Sequence, residues 1–326
     1  MASQDKIRLI TTILNLYYVE QLTQTEIAER LNLSVPKVNR LLLQARELGY
    51  IEFVIRTPLQ HLFELENRLK TVFGLQEAIV IPSEGNSSTS VLNAVGSAAA
   101  NYLLEHIHDG DVIAITPGTT VQAVIQSLDA QRQYQVEIVP ILGSIQGNLE
   151  SDMNYLSIIM GDRLGAKSHK LHAPAFVESR EHCEILRSIE PVKMILDIGR
   201  QADIALLGIG TLDPVTSRFI QFTNLSKDEM REIIEGCGGV GEIGAFVYNI
   251  DGEPCGKQFA ERVIGLNLDE IRRIPFRIGV ASSAEKALPI YGALRGGYLH
   301  VLITDEAAAQ GVLEIFAKDF QKIKLT

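Results

Sequence analysis

From residue 78 onward the chain alternates short apolar runs with helical segments, and this alternation restricts the possible folds more than any other feature. Six runs have the length and composition of buried strands: 78–81, 112–116, 136–142, 204–210, 277–282 and 300–304. Helical patterns separate most of these runs, at 90–106, 119–128, 152–164, 190–200 and 305–317. Strands that alternate with helices form a mostly parallel sheet covered on both faces. The sequence therefore predicts an α/β class protein with a large Rossmann-like domain over 78–326.

The first part of the chain has the pattern of a small helical unit. A helix over 6–20 places four apolar side chains on one face: Ile10, Ile13, Leu14 and Tyr17. Thr23 and Glu26 have the capping-box spacing that begins a second helix. A short turn follows this helix at residues 32–33. This spacing predicts a helix-turn-helix.

A third helix completes the predicted N-terminal unit. Ser34 is placed to cap it, and Gly49 to end it after Leu48. The alternating residues 50–56 predict a strand that would add a wing. The sequence thus predicts three parts: a helix-turn-helix domain over 1–57, a linker helix over 58–77 and the α/β domain over 78–326.

The start of the third helix is rich in basic and polar residues, as a DNA-recognition helix is. The predicted DNA-binding residues are Ser34, Val35, Lys37, Asn39, Arg40 and Arg46. In a helix-turn-helix the second helix of the motif enters the major groove. There an asparagine can bind adenine, an arginine can bind guanine, and serine or lysine can hold a phosphate. The alternatives are a plain helical hairpin with a solvated polar face and an assembly protein whose N-terminal helices only dimerise.

The charge distribution agrees with DNA binding by the first segment. Residues 1–57 carry seven Lys and Arg residues and six Asp and Glu residues. The rest of the chain carries 23 basic and 34 acidic residues, and the net charge of the whole chain is −10. The acidic remainder would be repelled by phosphates, but the first segment would not.

Four of the predicted strands run into small polar residues. The run 112–116 is followed by Pro117, Gly118, Thr119 and Thr120, and the run 136–142 by Gly143 and Ser144. The run 204–210 is followed by Thr211, and the run 277–282 by Ser283 with Lys286 shortly after it. The carboxyl ends of parallel strands are where ligands bind in such sheets. Glycines allow a close approach, hydroxyls donate hydrogen bonds, and a lysine neutralises a phosphate. These loops predict an anion or phosphosugar pocket.

Two other motifs contain residues of known binding chemistry. Glu242 lies in the Gly-rich stretch 239–246, where its carboxylate would bind sugar hydroxyls or be solvated. His169 and His172 are three residues apart, with no carboxylate partner in the motif. That favours ordinary strand-end histidines over metal ligands. We predict no metal site and no cofactor.

The N-terminus and the cysteines indicate the compartment. Residues 1–5 are polar, and the sequence contains no apolar run of a signal peptide or of a membrane span. The three cysteines, Cys183, Cys237 and Cys255, are far apart in sequence, which suits buried thiols in a reducing environment. We expect a cytoplasmic protein with no membrane partner.

Several stretches together resemble the SorC family of bacterial sugar-responsive regulators. The segment YYVEQLTQTEIAERLNLSVPKVNRLLLQARELGYI (17–51) resembles the family's DNA-binding segment. The resemblance continues, in the family's order, through LHAPAFVES (171–179), ADIALLGIGTL (202–212), GVGEIGAFVYNIDGEP (239–254), RVIGLNLDEIRRIP (262–275) and ALRGGYLHVLITDEAAA (293–309).

This resemblance implies a regulator of a carbohydrate or polyol operon, with operator DNA and a small-molecule effector as partners. The implied effector is usually a phosphorylated sugar, and the implied assembly is a homo-oligomer, a tetramer or dimer of dimers. The implied fold is that of phosphosugar isomerases and glucosamine-phosphate deaminases. Family ligand positions match Gly118, Thr119 and Thr120, then Glu242, and then Lys286.

The chain also departs from the family pattern. Ser282 and Ser283 stand where the family commonly has two glycines, Pro117 precedes the Gly-Thr motif, and Glu242 replaces an aspartate. These departures predict a pocket shaped for an unusual sugar or sugar alcohol.

The main alternative function is that of a phosphosugar isomerase or deaminase with an added N-terminal module. Deaminases of this fold carry an Asp-Gly-His motif after the Gly-Ile-Gly strand, whereas residues 211–214 here are Thr-Leu-Asp-Pro. Isomerisation needs a base near the sugar C2, and Glu242 is the only candidate that the sequence offers. We therefore predict that the protein is not an enzyme.

Overall fold

The computed structural model describes residues 2–52, 57, 59–83, 87–145, 152–213, 216–223 and 225–325. The chain divides into two compact units, Met1–Gln60 and His61–Thr326. Each unit has a hydrophobic core of its own. The three-part division at residues 57 and 77 stays a prediction.

The smaller unit is built from three helices. They are α1 (Ala2–Leu14), α2 (Gln24–Leu31) and α3 (Val35–Glu47). A π-helical turn, Asn15–Val19, continues α1. Ile10 and Ile13 are buried as predicted, but Leu16 is buried in place of Leu14 and Tyr17, which are only partly covered. The wider π turn changes the helical phase and rotates Leu16 into the core.

The helix ends show which capping predictions are correct. The Thr23 side chain accepts a hydrogen bond from the amide of Glu26, and the Glu26 carboxylate accepts the Thr23 amide at 2.8 Å, so the capping box is confirmed. Ser34 is the N-cap of α3, but its side chain makes no capping bond, contrary to expectation. Gly49 has φ +71°, and the amide of Tyr50 donates to Ala45 O at 2.9 Å, which completes a Schellman ending.

The predicted wing falls mostly outside the described part of the chain. Residues 53–56 of the predicted strand lie outside the described residues, and residues 50–52 do not form a strand.

The larger unit contains a seven-stranded sheet in which every neighbouring pair is parallel. Its strands are β1 (Glu77–Ile81), β2 (Val112–Ile115), β3 (Glu137–Pro140), β4 (Lys167–Ser168), β5 (Ile204–Gly208), β9 (Phe276–Val280) and β10 (Val301–Asp305). All six predicted strands are confirmed. The unpredicted β4 has only two residues, too few for a recognisable pattern.

A second, antiparallel sheet of three strands lies between β5 and β9 in sequence. It consists of β6 (Gly210–Thr211), β7 (Gly239–Ile243) and β8 (Phe246–Asn249). β7 and β8 form a hairpin in which Ile243 pairs with Phe246.

Helices connect the strands of the larger unit. They are α4 (Gln60–Phe73), α5 (Ser88–His106), α6 (Thr119–Ser127), α7 (Met153–Leu164), α8 (Arg180–Ser188), α9 (Glu190–Arg200), α10 (Arg218–Phe222), α11 (Lys227–Arg231), α12 (Lys257–Ala260), α13 (Leu268–Arg272), α14 (Ala287–Arg295) and α15 (Glu306–Leu325). All five residues of β5 are buried, as expected of a strand covered on both faces. No helix of the described chain is long and apolar enough to cross a bilayer.

The order of the strands creates a point of divergence beside β2. The sheet order is β1-β10-β9-β5-β2-β3-β4. The chain moves from β2 to β3 and β4 in one direction and then crosses back to β5 on the other side of β2. The connections that leave β2 and β5 therefore diverge, which opens a crevice at the carboxyl ends of these strands.

The cysteines differ from the expectation of three buried thiols. Cys237 and Cys255 form a disulfide with a Cα–Cα distance of 5.8 Å, whereas Cys183 is free and buried. The β7–β8 hairpin brings the two bonded residues together across 18 positions of sequence. Burial raises the pKa of the Cys183 thiol.

The predicted linker helix, α4, packs against the larger unit. Leu62, Leu65 and Leu69 are buried in the core of that unit. Glu66 Oε1 accepts the amide of Val80 at 2.9 Å, which satisfies a donor on β1, the edge strand of the sheet. The helix therefore belongs structurally to the sheet unit.

We predict that Leu69→Ala lowers the free energy of unfolding of the larger unit by about 2–5 kcal/mol, because it leaves a cavity in the core. The neighbouring Arg68 is exposed, and Arg68→Ala serves as the control, with an expected change within about 0.5 kcal/mol. Urea unfolding measures both. Equal effects of the two substitutions would contradict the packing of α4.

Candidate functional site: a strand-end cavity and an exposed helix

A cavity of about 300 Å³ lies where the chain diverges beside β2. The loops after β2, β5 and β9 and the hairpin strand β7 line it. Its lining residues include Gly118 and the polar Thr119, Thr120, Thr211, Thr216, Arg218, Glu242, Ser283 and Lys286. Ser88 and Leu92 of α5 complete the lining, so residues from five separate segments meet at one crevice.

The cavity contains six of the eight residues predicted to bind an effector, but not the two that follow β3. Ser144 instead lines a neighbouring cavity of about 530 Å³, and its Oγ accepts a hydrogen bond from Asn154 Nδ2 at 2.9 Å. Gly143 packs so closely that a Cβ would lie 2.5 Å from Pro174 O. β3 lies on the side of β2 away from β5, so its loop ends apart from the crevice. The single pocket expected from the sequence is therefore divided: Ser144 lines one cavity and the residues that follow β2 line another, and the two share no lining residue.

The amino terminus of α6 forms one wall of the cavity. Gly118 is its N-cap, with φ +140° and ψ 150°, and Thr119 and Thr120 are its first residues. The first amides of a helix have no partner within the helix, and the helix dipole favours an anion beside them. This wall can therefore bind a phosphate or carboxylate.

The pairing of β6 with β7 places the carboxylate of Glu242 opposite this wall. Gly210 is the register partner of Glu242, and a Cβ on Gly210 would lie 1.8 Å from Glu242 Oε1. Only glycine leaves room for the side chain there. Glu242 Oε2 accepts the amide of Ala245 at 2.8 Å. Burial raises the pKa of Glu242, and the Ala245 amide and Lys286 oppose that rise.

Two cations line the cavity with Glu242. Burial lowers the pKa of Lys286, while the negative charge of Glu242 opposes that effect. Among the described residues, Lys286 forms no direct ion pair with Glu242 or any other carboxylate. Arg218 is exposed at the rim. A half-buried ammonium without a contacting carboxylate favours an anionic guest.

Arg218 is a cavity residue that the sequence did not predict. It is the first residue of α10, which begins because the side chain of Ser217 accepts the amide of Ile220. A serine followed by an arginine was the available signal, but it is common and does not reveal where the loop folds.

Ser283 has a strained backbone at the cavity. Its φ is +95° and its ψ 151°, a region that is nearly restricted to glycine. Such a conformation costs about 1–3 kcal/mol and persists only where the surroundings hold it. Strain of this kind is typical of ligand-binding loops.

The two histidines are placed differently from each other. His169 Nε2 lies 2.5 Å from Glu137 Oε2, so a carboxylate partner is present after all, brought by the pairing of β3 with β4. His172 is exposed. No group of three or more potential metal ligands occurs among the described residues.

In the smaller unit, α3 presents its predicted DNA-binding residues to solvent. Ser34, Val35, Lys37, Asn39, Arg40 and Arg46 are all exposed. The opposite face of α3 packs in the core through Val38, Leu41, Leu42 and Ala45. Arg40 projects opposite this buried stripe, because successive residues of a helix are about 100° apart. The polar face of α3 is therefore accessible to DNA.

We predict that Glu242→Gln raises the free energy of unfolding near neutral pH and has little effect near pH 4. Burial raises the folded-state pKa above the ordinary 4.5, so wild-type stability falls as the pH rises through that folded-state value. Glutamine stays neutral and still accepts the Ala245 amide. Urea unfolding across this pH range measures the difference. Glu285→Gln, on the exposed rim, is the control. A difference in the free energy of unfolding between Glu242→Gln and wild type that does not change with pH would refute the prediction.

Comparison with known proteins agrees with this two-part organisation. A family model described as a putative sugar-binding domain matches residues 57–314, and one described as sigma-70, region 4 matches residues 12–48. The sorbitol operon regulator of Klebsiella pneumoniae is 30% identical over 96% of this chain and 100% of its own length. The deoxyribonucleoside regulator of Bacillus subtilis is 28% identical over 95% of this chain and 98% of its own length.

Solved structures show the same relationship. The full-length sorbitol operon regulator SorC from Klebsiella pneumoniae superposes with a TM-score of 0.74 and 29% identity, over 95% of this chain and 99% of that one. The putative sugar-binding domain of a transcriptional repressor from Vibrio fischeri has a TM-score of 0.71 and 28% identity, over 78% of this chain and 98% of that one. The chain therefore belongs to the SorC family of sugar-responsive transcriptional regulators, with a helix-turn-helix segment followed by a sugar-binding domain.

Proposed function

We propose that α3 binds operator DNA of a carbohydrate or polyol operon and that the strand-end cavity binds a phosphorylated sugar or sugar alcohol as effector. One observation carries the effector half of this proposal. The amino terminus of α6, the ammonium of Lys286 and the carboxylate of Glu242 converge on one cavity at the divergence of β2 and β5.

The chemistry of the cavity matches a guest with an anionic end and hydroxyl groups. The amides at the start of α6, together with Lys286 and Arg218, suit a phosphate. Glu242 can accept hydrogen bonds from hydroxyls. The names of relatives support this class of guest, since they include regulators of sorbitol and erythritol metabolism.

The DNA half rests on the exposed face of α3. Asn39 and Arg40 have the side chains that bind adenine and guanine in the major groove, and Lys37 and Arg46 suit phosphates. Operators with two half-sites need two copies of such a helix. We therefore also propose that the protein is a homo-oligomer, and the family resemblance favours a tetramer. We propose the cytoplasm as its location, because the operator DNA is there.

Effector binding would control DNA binding through the two loops that hold the guest. We propose that loops 117–120 and 281–286 close on the effector and change subunit contacts, and with them the spacing or mobility of the α3 helices on DNA. A coupling free energy of about 1–3 kcal/mol between the two sites suffices for regulation.

We propose that the cavity binds its guest without turnover. Glu242 is held by the amide of Ala245, and residues 211–214, which follow the Gly-Ile-Gly strand, lack the histidine expected of a deaminase. The names of the relatives are those of regulators. Conversion of glucosamine 6-phosphate or ribose 5-phosphate by the purified protein would support the enzyme alternative instead.

We predict that Arg40→Ala weakens binding to the DNA upstream of the protein's own operon by about 1–3 kcal/mol and leaves effector binding unchanged, because it removes a base contact. Fluorescence anisotropy at fixed salt measures the affinity, since phosphate contacts depend on salt. Arg8→Ala, exposed on α1, is matched in charge and is expected to change affinity less. Equal losses from both variants would contradict base recognition by Arg40.

We predict the reverse for Lys286→Ala: normal DNA binding without an effector response. The measurement is a thermal-shift screen of phosphorylated and unphosphorylated sugars and polyols. At about 100 times its dissociation constant, a true effector stabilises the wild type by roughly 2.7 kcal/mol. Lys193→Ala, exposed on α9, is the control and is expected to keep the response. An unchanged response in Lys286→Ala would remove this lysine from the site.

A further inference from the structure

We propose that Asp305 is a positioning residue for the cavity, and that its carboxylate holds Ser283 in the backbone conformation that binding requires. The inference rests on the proposed function of the cavity. It explains how this chain keeps a serine at position 283, where the backbone conformation is one that glycine adopts more easily.

One buried carboxylate joins two segments at the carboxyl end of the sheet. Asp305 ends β10 and is 1% exposed. Its Oδ2 accepts the amide of Ser283, from the loop after β9. Its Oδ1 accepts the amides of Ala307 at 3.0 Å and Ala308 at 3.2 Å, at the start of α15. Three amide donors compensate the buried charge.

Ser283 needs such a restraint because its backbone is strained. Gly118, in the loop after β2, has φ +140° and ψ 150°, and Ser283, in the loop after β9, has φ +95° and ψ 151°. Both residues line the cavity. A glycine adopts this region readily, whereas a serine returns to negative φ unless something holds it. In this chain the Asp305 carboxylate supplies that restraint.

The two carboxylate oxygens of Asp305 bind different segments, so the restraint on Ser283 can be tested separately from the capping of α15. In Asp305→Asn the side-chain oxygen can still cap α15, because asparagine is as good an N-cap as aspartate. The amide group then replaces Oδ2 and turns a donor toward the Ser283 amide, which abolishes that bond. Two amides of α15 compete with one loop amide for the single oxygen of asparagine, so the oxygen faces α15 and the substitution releases the loop while it keeps the cap.

The test is a double-mutant cycle on the full-length chain, with wild type, Asp305→Asn, Ser283→Gly and the double variant. Each is titrated with inorganic phosphate at fixed ionic strength, and binding is followed calorimetrically. We expect Asp305→Asn to weaken phosphate binding about tenfold in the wild-type background, the loss typical of a charged hydrogen bond. In the Ser283→Gly background we expect a loss below about twofold, because glycine needs no restraint.

The control substitution is Asp152→Asn, which changes the cap of α7 without a contact to residues 281–286. Asp152 Oδ1 accepts the amides of Asn154 and Tyr155, a cap like that of Asp305 on α15. We expect its phosphate affinity to stay within about twofold of wild type. Equal losses from Asp305→Asn in both backgrounds would show a merely structural role and overturn the proposal.

Amide hydrogen exchange at Ser283 in the ligand-free protein gives a readout that does not depend on a ligand. We expect exchange about tenfold faster in Asp305→Asn than in wild type, because the amide loses its acceptor. If wild type fails to bind phosphate but this exchange accelerates, the positioning role stands and the phosphate part of the proposed function fails. Unchanged exchange at Ser283 overturns the positioning role whatever the titration shows.

Discussion

The divergence of the chain on either side of β2 is the constraint on which the rest of the site depends. Because β3 and β5 flank β2 on opposite sides, the connections that follow β2 and β5 leave the sheet in different directions. The gap between them is the cavity. Gly118, Thr119 and Thr120 reach it from the loop after β2, and Glu242 reaches it from a hairpin inserted after β5.

The cavity combines groups that are individually unfavourable for folding. Glu242 and Lys286 are charges whose pKa values burial shifts toward the neutral forms, and Ser283 adopts a strained backbone. Such features persist when the surrounding structure restrains them, as the amide of Ala245 and the carboxylate of Asp305 do here. A bound anion that contacts Lys286 would stabilise the same arrangement, so ligand binding and stability are linked.

Local sequence patterns predicted what depends on neighbouring residues. The six strands, the helix α4 over 60–73 and the capping box of Thr23 and Glu26 were all predictable. The errors have local causes too. The π turn after α1 moved Leu16 into the core, and Ser34 capped α3 without its side chain. Ordinary α-helical spacing and the usual capping preference of serine predict neither feature. The sequence could identify Glu242 as polar in a Gly-rich stretch but not the Gly210 contact that seats it.

By itself the sequence determined the alternation of strands and helices, the polar start of α3 and the small residues at the strand ends, since these are properties of adjacent positions. Tertiary structure alone decided which strand ends meet. It separated Gly143 and Ser144 from the cavity, added Arg218, paired Cys237 with Cys255 and set Asp305 beside Ser283. The reason is physical: strand order and long-range pairing place residues 22 to 92 positions apart in contact, as Ser283 with Asp305 and Gly208 with Thr116, and no local pattern encodes that order.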